Sequence, residues 1–108
     1  MKVFRLEKMV KGWFVGDFEP TLFKTKDFEV AVKSYMANDY EKEHVHKVAT
    51  EITVMVYGWA RMGGETVSAG DIIMIEPGEP TDFRAITGVT TVCVKVPSVK
   101  GDKFDFGD

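Results

Sequence analysis

Residues 44–58 read HVHKVATEITVMVYG and hold both histidines of a 108-residue chain. A polar flank, EKEHVHK, gives way to a run of β-branched, apolar and aromatic residues that ends at Gly58. Such a run favours a strand. Alternate side chains of a strand share a face, so His44 and His46 project together with their Cα atoms about 7 Å apart. A bend within KVAT would return the chain and bring Glu51 to a neighbouring rung. Beyond it, Ile52, Val54 and Val56 would occupy one face, and Thr53, Met55 and Tyr57 the other.

Comparable runs recur on both sides: FEVAVKSYM at 28–36, DIIMIE at 71–76, TDFRAI at 81–86 and TTVCVKV at 90–96. Turn formers divide them, with GD at 16–17, ND at 38–39, GG at 63–64, AGD at 69–71, EPGEP at 76–80 and TG at 87–88. No stretch sustains a helical period with caps; only the first dozen residues, or part of KGWFVGDFEP, can hold a helical turn. Short strands at regular spacing predict an all-β sandwich or barrel, and the gaps are too small for the helical crossovers of a parallel sheet. The length suits one core. We expect residues 1–27 to form N-terminal strands and a loop covering the barrel or a dimer interface, 28–100 the barrel, and 101–108 a tail along the surface or at a sheet edge.

Composition narrows the partners. Fourteen basic and seventeen acidic residues give a formal charge of -3, and no basic block exists to follow a phosphate backbone, so nucleic acid is not expected. No apolar run approaches the roughly 20 residues of a membrane span. The start, MKVFRLEKMVKG, lacks a signal-peptide pattern, and the single Cys93 has no internal partner; both favour a cytoplasmic protein. Cys93 and Met55 read as core residues. Because EITVMVYGW is apolar on both faces, its outer face needs a cover, which predicts a homodimer through sheet exteriors. Trp13, Phe14 and Phe18 suit core cover or the same contact. Trp59 suits a pocket wall or an interface. Lys33 and Lys95 each interrupt a strand with a charge; such lysines ordinarily reach back to solvent, and turned inward they would meet an anionic ligand.

Two imidazoles and a carboxylate, His44, His46 and Glu51, make a set suited to a divalent ion such as Fe, Mn, Ni or Zn. The same residues without an ion would be an acid–base cluster near neutral pH.

In this order, His, one residue, His, four residues, Glu, six residues, Gly, the stretch resembles the first conserved motif of the cupin superfamily. GDIIMIEPGEPTDF at 70–83 resembles the second, and VKVPSVKGDKF resembles the end of small single-domain cupins. The resemblance spans about residues 28–100 and implies a double-stranded β-helix, or jelly-roll barrel, of the RmlC-like kind. It implies His44, His46 and Glu51 as metal ligands, and Gly58, Gly70 and Gly78 as turn glycines. The second motif's histidine ligand falls at Thr81, a poor ligand; a shift around Pro80 would bring Asp82, or Glu79, to the barrel mouth instead.

Three functions follow as expectations. The first is an enzyme of the oxygenase or isomerase type, holding a divalent metal through His44, His46 and Glu51, with Asp82 as a further ligand, and acting on a small oxygenated molecule. The second is a metal-free binding protein or epimerase-like enzyme for a sugar or small carboxylate, in which His44 or His46 moves a proton and Tyr57 or Tyr35 supplies the acid. The third is a non-catalytic dimeric accessory protein. No dinucleotide fingerprint, phosphate loop or Ser-His-Asp order is present.

Overall fold

A computed structural model describes residues 1–105. One 3-10 turn (Leu6–Lys8) precedes eleven strands: β1 (Trp13–Gly16), β2 (Phe23–Lys24), β3 (Glu29–Tyr35), β4 (Tyr40–Val45), β5 (Thr50–Tyr57), β6 (Trp59–Met62), β7 (Glu65–Ser68), β8 (Ile72–Ile75), β9 (Thr81–Ala85), β10 (Val89–Val96) and β11 (Phe104–Asp105). They form a six-stranded sheet in the order β2-β1-β3-β10-β5-β8 and a five-stranded sheet in the order β11-β4-β9-β6-β7. The N-terminal β1 extends the larger sheet antiparallel to β3. The tail pairs at a sheet edge through β11, which lies antiparallel to β4; residues 106–108 of the expected tail lie outside the described residues. Among the described residues no helix is long and apolar enough to cross a membrane.

Alternation along the central strands sorts their side chains. Thr53 and Met55 of β5, and Val89, Thr91 and Cys93 of β10, are buried, while their neighbours in sequence are less so. Thr81, Phe83 and Ala85 do the same for β9 in the facing sheet. The two inner faces enclose Met55, Ala60, Met62, Val67, Ile75, Phe83, Ala85 and Val89. Met55, 1 % exposed, fills the centre as expected; burying such a side chain contributes roughly 2–3 kcal/mol. Cys93 is likewise buried, and burial pushes its thiol up to about 12, so it stays protonated.

Toward the other end the inner face turns polar. Cross-strand registers set Glu29, Lys95 and Glu51 on one rung, Ala31, Cys93 and Thr53 on the next, and Lys33, Thr91 and Met55 on the third. The barrel thus has an apolar floor and a charged mouth, and the histidines stand at the mouth.

Gly58 makes the β5–β6 corner possible. Its φ is +92°, and a Cβ there would lie 2.1 Å from the Gly88 carbonyl oxygen. Only glycine tolerates both demands.

Candidate functional site

His44 lies near the end of β4, past the register shift that follows Glu41, and its Nδ1 lies 2.9 Å from the Lys42 carbonyl oxygen. A carbonyl only accepts, so Nδ1 carries the proton and Nε2 of the neutral ring carries the lone pair. His44 lines a small cavity with Lys33, Tyr35, Glu41, Glu51, Thr81 and Lys95, among others. The second histidine is differently placed. His46 is 4 % exposed, its ring is nearly perpendicular to that of His44 at a centroid distance of 5.2 Å, and its Nε2 is buried without a hydrogen-bond partner. Burial first, then the nearby Lys95 charge, lower its pKa to about 4. It is therefore neutral at pH 7, and its 3.9 Å approach to Glu51 is not an ion pair there.

Both sequence motifs hold this corner. The Gly78 N–H, in the EPGEP turn, donates to the His46 carbonyl at 2.7 Å. Asp102 accepts the backbone N–H groups of Lys47 and Ala49 at 2.8 and 2.9 Å, and that of Val48 at 3.2 Å, fastening the loop between His46 and Glu51. Burial raises the Asp102 pKa, but these three N–H donors outweigh it and hold the carboxyl below its usual value.

The metal expectation is not met. Among the described residues no group of three or more His, Cys, Asp or Glu side chains is arranged to hold a metal ion. The reasons are local. Glu51 Oε2 accepts a hydrogen bond from Thr53 at 3.2 Å. Thr81 puts a hydroxyl opposite His44 in the β4–β9 ladder. Asp82, offered as a further ligand, accepts the Gly63 N–H at 3.0 Å and lies 3.4 Å from the Tyr40 hydroxyl. Glu79 is taken up by the Glu76 N–H within its own turn. Lys95 adds positive charge on the rung of Glu51, where a second cation is disfavoured. The residues present do not fit a divalent cofactor of the Fe, Mn, Ni or Zn kind, and a metal-dependent oxygenase or isomerase reading falls with it.

Tyr57 also leaves the site. A register shift against β10 pairs Thr90 with Tyr57 and the adjacent Thr91 with Met55, so β5 carries one extra residue there. The bulge reverses the alternation. Tyr57 is consequently 66 % exposed and does not line the cavity. Tyr35 does line it, its ring 4.4 Å from that of Phe83 and its hydroxyl donating to Glu41 Oε1 at 2.7 Å. Burial, then the adjacent Glu41 charge, raise the phenol pKa far above its usual value, so Tyr35 remains a donor. Burial would raise Glu41 as well, but Lys33, 3.6 Å away, and the Tyr35 hydroxyl overcome it and keep the carboxylate ionised.

Lys33 and Lys95 turn inward rather than reaching for solvent. Both ammonium groups stand over the Trp13 ring, at 5.3 and 4.9 Å, contacts worth roughly 0.5–1 kcal/mol each. Lys33 pairs with Glu41; among the described residues Lys95 and Lys103, which also line the cavity, close no ion pair within 4.0 Å. Glu41, Lys103 and Asp102 were not legible as site residues. Glu41 has the wrong parity for His44, and a register shift between them in the β4–β9 ladder brings both to the cavity.

With two curled sheets closing around an apolar floor, the architecture matches solved structures. This chain has the cupin fold. An uncharacterised conserved protein with a double-stranded β-helix domain from Klebsiella pneumoniae subsp. pneumoniae MGH 78578 superposes with a TM-score of 0.70 at 20% identity, over 93% of this chain and 88% of that one. The DMSP lyase DddQ from Ruegeria pomeroyi DSS-3 gives 0.72 at 18% identity, over 87% of this chain and 49% of that one; this cupin barrel spans about half of the lyase's length. KdgF from Halomonas sp. gives 0.64 at 17% identity, over 70% and 74%. No family model matches the sequence, and no curated protein does. At these identities the likeness is one of fold, and function is argued from the site.

Proposed function

We propose that this cupin barrel is a metal-free binding protein for a small carboxylate or acidic sugar, with His44 equipped to move a proton on the bound molecule. One observation carries the reading. His44 commits Nδ1–H to the Lys42 carbonyl, which leaves the Nε2 lone pair on a ring lining a cavity that Lys95 and Lys103 also line, closing no ion pair within 4.0 Å among the described residues. The lysines supply the charge that holds a carboxylate. His44 Nε2 can accept a proton from the carbon beside that carboxylate or a carbonyl and return it. Tyr35, the other tyrosine expected as the acid, lines the same cavity, where its hydroxyl is committed to Glu41.

The outer face of the large sheet supports a homodimer as the working form. Ile52, Val54, Val92 and Val94 are half-buried there, and Val56, Ile72 and Met74 are exposed. Contiguous apolar surface of this kind ordinarily finds a partner. The buried lone thiol of Cys93 supports a reducing, cytoplasmic setting.

Titration calorimetry with acetate, lactate, glucuronate and neutral glucose tests the function. A carboxylate should bind, Lys95→Gln should weaken it about tenfold, and glucose should bind least. Tighter binding of glucose than of every carboxylate would overturn the reading. Light scattering tests the dimer against the 12.1 kDa monomer.

A further inference from the structure

The inner cavity holds only about 40 Å³ of water-accessible space. One water needs about 10–15 Å³ of such space, so the cavity takes one carboxylate-sized group and not a sugar ring. Lys33, Tyr35 and Glu41 line this cavity and also a second, open one of about 900 Å³. The N-terminal segment lines the larger space with Phe4, Leu6 and Met9, and β3 lines it with Val32; Arg5, Glu7 and Lys11 bring charge of both signs. A narrow polar chamber therefore adjoins a roomy, part-apolar groove, with Lys33, Tyr35 and Glu41 on the boundary between them.

On that boundary Glu41 already has Tyr35 and Lys33 as partners, and inside the chamber Glu51 accepts from Thr53. Asp82, which also lines the chamber, accepts the Gly63 N–H. Among the described residues Lys95 and Lys103 are the chamber cations that close no ion pair within 4.0 Å, and an entering anion would pair with them. Phe4 and Leu6 are about half exposed, so they present apolar surface to the groove without being needed by the core.

We infer that the ligand is an organic carboxylate with an apolar tail, its head in the inner chamber and its tail in the groove beneath the N-terminal segment. The inference rests on the proposed carboxylate reading and narrows it, setting acidic sugars aside. Phe4 and Leu6 then set specificity by tail length, acting on binding and on no chemical step.

The test is a calorimetric series on the full chain with acetate, butanoate, hexanoate and octanoate, beside glucuronate and inorganic phosphate. Each buried methylene contributes enough for an expected two- to fourfold gain in affinity. The ratio of octanoate to acetate affinity should fall at least fivefold in Phe4→Ser/Leu6→Ser, whose exposed positions leave folding intact, as circular dichroism would verify. Equal affinity across the series would overturn the tail while sparing the carboxylate site. Glucuronate or phosphate binding more tightly than hexanoate would overturn it too. If no carboxylate binds at all, the proposed function itself fails.

Discussion

Thr81 lies directly across the β4–β9 ladder from His44, and both side chains line the inner cavity. The Thr81 hydroxyl donates to the Asp82 carbonyl at 3.3 Å. The imidazole is thereby left in a chamber of hydroxyl, phenol, ammonium and carboxylate groups that, among the described residues, form no metal-holding set, and proton transfer is the chemistry such company permits.

His44→Asn removes the Nε2 lone pair and keeps an amide of similar reach. Exchange of solvent deuterium into the carbon next to the carboxylate of a bound ligand, followed by proton NMR, should drop about 100-fold or more, the usual worth of a positioned general base. Undiminished exchange in the variant would remove His44 from the chemistry.

Chelation should leave the protein indifferent. Because the described side chains form no metal-holding group, octanoate affinity and thermal midpoint are expected to be the same before and after dialysis against EDTA. A loss of binding that returns with an added divalent ion would contradict the site as read.

His46 predicts a pH signature. An unfolded imidazole titrates near 6.5, whereas burial and Lys95 hold the folded one at about 4. Between these values the unfolded chain binds more protons than the folded one. Stability from this residue is complete above about pH 6.5 and is lost as pH falls toward 4. Urea midpoints across that window should decline in the native protein, and the decline should flatten in His46→Gln.

Asp102 fastens the site from 55 residues away, through the Lys47 N–H. Asp102→Ala strands three loop N–H groups and should cost about 3 kcal/mol in chemical denaturation. Its depressed pKa means that the contribution is present above the ordinary carboxyl pKa and disappears as pH drops through the folded one. Ligand affinity should fall with it, since Glu51 follows the fastened loop.

Much of the barrel could be read from local order. The stretches at 44–58 and 81–86 contain β5 and β9, and that at 90–96 holds all of β10 but its first residue, because two-residue alternation and turn-forming glycines are properties of neighbouring residues. The burial of both histidines and Glu51 follows the same local spacing. The missing ligand histidine at Thr81 was visible too, yet its consequence was not. Whether three groups converge on an ion depends on where Glu51, Asp82 and Lys95 point, and the neighbours of Asp82 and Lys95, among them Gly63, Tyr40 and Trp13, are distant in sequence.

The sequence by itself determined an all-β barrel with a polar corner at residues 44–51, since period-two burial and tight turns are encoded between adjacent residues. Only the tertiary structure decided what that corner is. Register shifts opposite Tyr57 and between Glu41 and His44 reverse faces that alternation would assign otherwise. A bulge exists only relative to a partner strand, so no single run of residues reveals which side chains share the chamber.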